Sequence, residues 1–174
     1  NMSGYAGEWR ESRAESPAGG MTSLGIHAID MYVNLFGRIK SVLAVSRRIT
    51  MPYDIDDATT SLMDFENGQS GYLGSVAATG TLWQVRAFGN KGWGSIFAHD
   101  QFTAQLTDGT VIADSWDGYS YPGMPTIKAQ MVSFATDCEG GAPFPATPDQ
   151  ILHATAVLEA IITSADNGER VTVG

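Results

Sequence analysis

The sequence is short of cysteine, of basic residues and of long apolar runs, and each shortage excludes a class of protein. Cys138 is the only cysteine among 174 residues, which excludes an internal disulfide framework and favours a reducing, cytoplasmic location. Ten Lys and Arg stand against 19 Asp and Glu, a net charge of −9, which argues against nucleic acid or an anionic membrane surface as partner. No apolar run approaches the roughly 18 residues of a membrane span.

Metal-ligand patterns are missing as well. His27, His99 and His153 are far apart in the sequence, and no pair has the spacing of metal ligands. The acids within residues 54–57 are not accompanied by the glycine and distal glutamate of a calcium-binding EF-hand loop. We therefore predict no metal site, and we expect His153, on the last predicted helix, to be packed or solvated.

One apolar segment of the chain carries polar side chains that need an explanation. GGMTSLGIHAIDMYVNLFG, from Gly19 to Gly37, predicts a helix that stops at the second of these glycines. At about 100° per residue, its polar side chains form one narrow stripe: Ser23, His27, Asp30 and Asn34. Apolar residues cover the rest of the circumference, so we predict a helix buried nearly all round apart from this seam.

The stripe alone leaves two interpretations of His27. As a structural residue it would donate to Asp30, because buried polar groups need hydrogen bonds. As a functional residue it would face a cleft and donate or accept a proton near neutral pH.

The segment upstream of this helix contains Trp9, Arg10 and Arg13 and is long enough to fold back over the helix start. An arginine there could hold a hydroxyl, carboxylate or phosphate group of a ligand. The alternative is a solvated loop. The double glycine at residues 19–20 would let the backbone approach something closely at the helix start.

Strand patterns cluster in the middle of the chain and are joined by short turns. The turn signals fall at Asn67-Gly68, at residues 89–92 and at Asp108-Gly109. A loop over 115–125 is followed by helices over roughly 125–138 and 147–166, the second with Thr147 as N-cap and Pro148 at its first position. These patterns predict an α+β fold, a large, mostly antiparallel open sheet with helices packed on one face. The free face predicts a homo-oligomer, a dimer or a tetramer.

Four stretches of the sequence, taken in order, resemble a known family. They are WR followed by SPAGGMTSLGIHAID, then DDATTSLMDFENGQSGYLGSVAA, VRAFGNKGWGSIF and ATPDQILHATAVLEAIITSADNGERVTV. Together they are similar to the C-terminal domain of the glucose–fructose oxidoreductase / inositol dehydrogenase / MocA family, over nearly the whole chain. The resemblance implies a dihydrodipicolinate-reductase-like domain that provides the substrate site and oligomer contacts. The enzyme it implies uses NAD or NADP and acts on a sugar, cyclitol or related polyol.

The resemblance also implies roles for individual residues. His27 matches the family's catalytic histidine, which is expected to shuttle the proton as hydride moves to or from the nicotinamide. Arg10 matches a position that commonly lies near the substrate. The stripe and the upstream segment add further residues expected at the substrate: Trp9, Arg13, Ser23 and Asp30. Serine stands at position 23, where the family's Asp-x-x-x-His pattern has a carboxylate that would support a histidinium.

Two motifs of the complete family architecture are missing from the sequence. It has no glycine-rich strand–turn–helix and no Glu-Lys-Pro motif, whose lysine aids catalysis in the family. We therefore expect residues 1–174 to be a single substrate-binding and oligomerisation domain, a fragment whose N-terminal dinucleotide-binding domain is missing. Alone it would bind no cofactor and be inactive. The alternative is a non-catalytic binding or assembly module that kept the fold and lost dehydrogenase chemistry.

Overall fold

The computed structural model describes residues 9–116 and 124–174, and the chain divides into two compact units. One unit comprises residues 1–80 with 146–174, and the other comprises residues 81–145. Most of the loop predicted over 115–125 lies outside the described residues. The expectation of one domain over residues 1–174 stays a prediction.

The chain alternates between helical and extended segments in the order that the sequence predicts. After a 3-10 turn (Trp9–Glu11) and a π-helical turn (Met21–Gly25), the elements are α1 (Ile26–Phe36), β1 (Ile39–Arg47), β2 (Ala58–Phe65), β3 (Ser70–Val76), β4 (Gln84–Gly89), β5 (Gly92–Phe97), β6 (Gln101–Leu106), β7 (Val111–Ser115), α2 (Met124–Cys138), α3 (Pro148–Asn167) and β8 (Val171–Thr172).

All strand pairs are antiparallel, and they build two open sheets. The strand orders are β3-β2-β1-β8 in the first unit and β4-β5-β6-β7 in the second. The predicted α+β class is thereby confirmed. The sequence suggested one large sheet. In the described residues the hydrogen-bonded ladder does not continue from β3 to β4, so the strands form two four-stranded sheets.

Local chemistry determines where the elements of the first unit end. The Phe65 N–H donates to the Gln69 carbonyl at 2.9 Å, which closes the predicted Asn67-Gly68 hairpin. The Gly37 N–H donates to the Val33 carbonyl at the end of α1. Before α3, Thr147 and Gln150 bond each other's backbone N–H groups through their side chains, and this capping box satisfies two donors at the helix start.

The core of the first unit lies between its sheet and the helices α1 and α3. The α3 helix packs against both β1 and α1. The residues that contribute fully buried apolar side chains include Ile29, Val42, Met63, Val157 and Ile161. Helices on one face of this sheet are therefore observed as expected.

Two buried polar side chains of α3 complete the hydrogen bonding of β1. Only two residues of β1 pair with the short strand β8, so other N–H groups along that edge need acceptors. The Ile39 N–H donates to His153 Nε2 at 2.9 Å, and the Ala44 N–H donates to Ser164 Oγ at 2.8 Å. His153 is thus packed, one of the two outcomes predicted for it, and it also accepts a backbone hydrogen bond.

The buried His153 makes the stability of this unit depend on pH. Burial, and then the nearby Arg38 guanidinium, lower the pKa of His153 below its usual 6.5. The unfolded chain therefore binds more protons than the folded one below about pH 6.5. The stability linked to His153 is full above that pH and is lost as the pH falls through the lowered pKa.

We expect His153→Gln to remove this pH dependence, because Gln keeps a side-chain acceptor and does not titrate. The free energy of unfolding would be measured by urea denaturation at about pH 7.5 and about pH 5.5. From the higher to the lower pH, the free energy of unfolding should fall more for the wild-type chain than for the His153→Gln variant. Equal losses would show that His153 does not contribute.

The sheet of the first unit presents its other side to solvent. Leu43, Leu62 and Tyr72 form one cross-strand row on that side, and Val45 and Thr60 form part of the next row. The large apolar side chains that are exposed there, called the open face below, are Val45, Leu62, Tyr72 and Val76, between 49% and 59% exposed. An exposed group of apolar side chains on one sheet face is a candidate protein–protein contact.

Candidate functional site

The polar residues of α1 lie on the side of the helix that faces away from the core. Ala28, Ile29 and Val33 are buried, while His27 and Asp30 are exposed. The helix is therefore amphipathic, with one side built into the core. The prediction that it is buried nearly all round is wrong. Two apolar residues near its ends are exposed as well, Leu24 and Leu35.

The helix begins with a π-helical turn, which the sequence did not predict. The Ile26 N–H donates to the Met21 carbonyl, five residues back, so this turn is wider than an α-helical one. The spacing of about 100° per residue therefore holds only from Ile26 onward. Ser23, half-buried within the wide turn, is not placed relative to His27 as an α-helix would place it. Single π turns are frequent at functional sites.

The imidazole of His27 is available to a ligand. It makes no hydrogen bond or ion pair within the part of the chain that the structure describes, and Asp30 does not bind it. A satisfied core histidine, the structural interpretation of the sequence, is thereby excluded. Its exposed position leaves the imidazole within reach of a bound ligand, as a general acid–base must be.

Arg10 and Trp9 form a cation–π pair in the upstream segment. The Arg10 guanidinium carbon lies 4.4 Å from the centre of the Trp9 ring. A guanidinium over the face of an indole is attracted to the ring and keeps its N–H donors for other partners. Trp9 is 41% exposed, so this pair could meet a ligand. Within the described part of the chain, no hydrogen bond or ion pair joins the Trp9–Arg10 pair to His27.

Arg13 has carboxylate partners within the chain. Its Nη2 lies 2.5 Å from Asp166 Oδ1 on α3, and its Nε lies 3.7 Å from Asp56 Oδ2. Its backbone N–H donates to the Asp54 carbonyl at 2.8 Å. These contacts engage both the side chain and the backbone. They favour a structural task for Arg13 over the direct contact with substrate that the sequence suggested, which stays untested.

The double glycine before α1 makes the close approach expected of it. Gly19 has φ +54°, and a Cβ added to it would lie 1.8 Å from the Asp56 carbonyl oxygen. A Cβ on Gly20 would lie 2.4 Å from Ser75 Oγ. The start of the helix is therefore pressed against the backbone before β2, at a distance from the Asp56 carbonyl that only glycine permits, and it also lies against the Ser75 side chain of β3.

The acids before β2 are the residues whose role the sequence did not reveal. The Asp57 carboxylate accepts the N–H groups of Ile49, Thr50 and Met51. Desolvation raises the pKa of Asp57, but these hydrogen bonds together outweigh it and leave the pKa lowered. Asp56 is 5% exposed, and its Oδ2 has no hydrogen-bond partner. The spacing of apolar residues along the sequence does not indicate hydrogen bonds between a carboxylate and backbone N–H groups.

Other kinds of site find no support in the described residues. Within residues 9–116 and 124–174, no group of three or more His, Cys, Asp or Glu side chains is placed to hold a metal ion. The same ranges contain no helix with the length and apolar character needed to cross a bilayer.

A family model supports the assignment of this domain. The model of the GFO/IDH/MocA C-terminal domain matches residues 1–95, which include the upstream segment, α1 and the sheet strands β1 to β3. No curated protein sequence matches the chain.

Solved structures share the fold over nearly the whole chain. A candidate NADPH-dependent oxidoreductase of Desulfitobacterium hafniense has a TM-score of 0.81 at 19% identity, over 96% of this chain and 51% of its own. Levoglucosan dehydrogenase in complex with NADH has a TM-score of 0.78 at 20% identity, over 96% and 53%. An oxidoreductase of Agrobacterium radiobacter, solved with NAD+, L-tartaric acid and magnesium, has a TM-score of 0.73 at 22% identity, over 88% of this chain and 49% of its own. The chain spans about half the length of these proteins.

Proposed function

Because the chain belongs to the GFO/IDH/MocA family through its C-terminal domain, we propose that it is the substrate-binding half of a nicotinamide-dependent oxidoreductase. The substrate is a sugar, cyclitol or related polyol, oxidised at a CH–OH group or formed from the corresponding ketone. The observation that carries this proposal is the exposed imidazole of His27, which has no partner among the described residues. It stands on a helix whose opposite side is anchored in the core.

In this proposal the residues of the chain bind the polyol and move its proton. The His27 imidazole accepts the hydroxyl proton during oxidation and returns it to the carbonyl oxygen during reduction. The Arg10 guanidinium, held against Trp9, donates hydrogen bonds to substrate oxygens. Asp30 and Ser23 are additional polar groups on or beside the same helix.

The cofactor, NAD or NADP, has no binding motif in the described residues. Both sheets are antiparallel, whereas a dinucleotide site uses parallel strands and a glycine-rich turn before a helix. We propose that the dinucleotide is held by a domain outside these 174 residues, as the half-length matches suggest. When bound, the nicotinamide supplies hydride transfer.

The substrate class is supported by what similar proteins bind. Levoglucosan dehydrogenase has been solved with levoglucosan and with L-sorbose, which are a sugar derivative and a ketose. At 20% identity these proteins share the fold, so the particular sugar is not carried over. The cytoplasmic location, favoured by the single, exposed thiol of Cys138, belongs to the same proposal.

The proposal is tested with the full-length protein that includes a dinucleotide-binding domain. NAD(P)H formation or consumption would be followed by absorbance with a panel of aldoses, ketoses, anhydrosugars and cyclitols. We expect turnover with at least one of these classes. Tight NAD(P)H binding without turnover of any of them would contradict the proposed reaction.

A second candidate is a non-catalytic binding or assembly module. Ser23 favours it, because a serine cannot supply the negative charge that would support a histidinium, and no described carboxylate contacts His27. The same panel separates the two functions. A module would retain a saturable shift in intrinsic fluorescence on sugar addition but would show no hydride transfer.

We further propose that the open face joins two or more copies of the chain. Its apolar side chains include Leu62 on the central part of β2 and Tyr72 on β3, both about half exposed. Burying such a patch against a second copy removes apolar area from water, which is favourable by about 25 cal/mol per Å². Two-fold symmetric dimers, in which the same patch of each copy meets, are the commonest form of such assemblies.

Leu62→Lys should dissociate this oligomer, because it places a charge in the centre of the buried surface. We expect the sedimentation mass to fall to that of one chain, or the dissociation constant to rise by at least about 100-fold. Val111→Lys on β7, where the valine is 63% exposed, is the matched control and should leave the mass unchanged. An unchanged mass for Leu62→Lys would rule out this face as the interface.

A further inference from the structure

The buried carboxylate of Asp56 is a polar group of the first unit that the proposed reaction does not use. Its side chain is 6% exposed, and its Oδ2 has no hydrogen bond. Burying an unpaired carboxylate is costly, so a nearby cation is needed to offset the loss of hydration. Arg13 is the one described cation within ion-pair distance, with its Nε 3.7 Å from Oδ2.

Asp56 also touches the start of the His27 helix through its backbone. Its carbonyl oxygen occupies the place where Gly19 would carry a Cβ. The same residue therefore contacts the upstream segment through its side chain and the helix start through its carbonyl. The next residue, Asp57, fixes this stretch by accepting three backbone N–H groups. The segment before β2 is thus anchored by hydrogen bonds, and it contacts the upstream segment at Asp54 and Asp56.

The upstream segment is attached to the segment before β2 at several points. Ser12 forms a parallel bridge with Asp54, and the Arg13 N–H donates to the Asp54 carbonyl. From Trp9 to Thr22, successive backbone turns connect the segment to the helix start without a long free stretch. Fixing the position of Arg13 therefore restricts the residues just before it, including the Trp9–Arg10 pair.

We propose that Arg13 and Asp56 form a positioning pair that holds Arg10 at the substrate. Arg13 does not touch the substrate in this arrangement, and Asp166 adds a second, exposed anchor for its guanidinium. The inference rests on the proposed function, because it gives Arg10 a polyol to bind. It assigns Arg13 and Asp56 a task that acts through Arg10.

The first test compares steady-state constants in the full-length enzyme. Arg13→Met and Asp56→Asn should raise KM for the polyol by about 10- to 100-fold, because misplaced binding groups lose affinity. The turnover number and KM for the cofactor should change little. Asp166→Asn should have a small effect, because exposed ion pairs contribute little. Arg13→Lys should restore part of the affinity, since it keeps one charge near Asp56.

A double-mutant cycle separates positioning from a general loss of stability. If Arg13 acts through Arg10, the KM increase caused by Arg13→Met disappears when Arg10 is already alanine. Arg38→Met, which removes an exposed pair with Glu66, is the control for loss of a surface arginine and should leave KM unchanged. Additive effects of the two arginine substitutions would overturn the positioning role.

Hydrogen exchange provides a readout that does not need activity. Backbone amides of residues 12–16 should exchange faster in Arg13→Met and Asp56→Asn than in the wild type, while those of α3 stay protected. If the enzyme turns over polyols but KM and exchange are unchanged, the positioning role fails and the proposed function stands. If exchange rises but no polyol is turned over, the proposed function fails.

Discussion

We expect the replacement of His27 by alanine to lower the turnover number of the proposed full-length oxidoreductase by about 10²–10⁴-fold, the usual contribution of a general acid–base. The loss follows because the hydroxyl proton must leave as hydride moves, and no other imidazole is assigned to the site. KM for the polyol should change less than the turnover number, since proton transfer belongs to the transition state. The measurement is a steady-state assay with saturating cofactor.

The structure offers a matched control for this substitution on the same helix. Asn34 is exposed on the same polar side and is not assigned to the reaction, so Asn34→Ala should keep full turnover. His27→Ala should also leave the thermal midpoint nearly unchanged, because the imidazole makes no hydrogen bond within the described chain. Normal turnover in the His27→Ala variant would show that His27 does not take part in the reaction.

Replacing Gly19 by alanine destabilises the first unit by about 3–5 kcal/mol, a size that is exceptional for one methyl group. The added Cβ would lie 1.8 Å from the Asp56 carbonyl oxygen and 2.9 Å from its carbon, so backbone must separate from backbone. The left-handed φ of +54° adds about 1–2 kcal/mol for a residue with a Cβ. Urea unfolding of the chain measures the loss.

Gly168→Ala separates the clash from the backbone strain. Gly168, at the end of α3, also has a left-handed φ, +75°, but a Cβ there meets no atom within 4 Å. We expect this variant to lose only the strain term, about 1–2 kcal/mol. Equal losses for the two glycine variants would mean that the contact between Gly19 and Asp56 relaxes without cost.

Local chemistry allowed much of the fold to be predicted. The Asn67-Gly68 turn, the Gly37 helix stop and the Thr147 cap are all encoded within a few residues of where they act. The polar stripe was visible for the same reason, since α-helical spacing brings residues three and four apart to one side. The exposure of His27 follows from that pattern once the opposite side is buried.

The features that were missed depend on contacts between distant parts of the chain. His153 accepts from Ile39, 114 residues away, and Arg13 meets Asp166 at a separation of 153 residues. The spacing of apolar and polar residues along the sequence does not predict pairs that are so far apart. The π turn was missed for a different reason, because one extra residue in a turn changes the hydrogen bonding without changing which residues are apolar.

The division of the first unit into two stretches of sequence has a consequence for its synthesis. Strand β1 is translated before α3, and the α3 groups that accept its Ala44 and Ile39 N–H groups lie more than 110 residues later. The ladder of strands β4 to β7, by contrast, is contiguous in sequence. On the ribosome the second sheet can therefore close before the first unit, whose core must wait for α3. Such long-range pairing slows folding and prolongs the exposure of apolar strands.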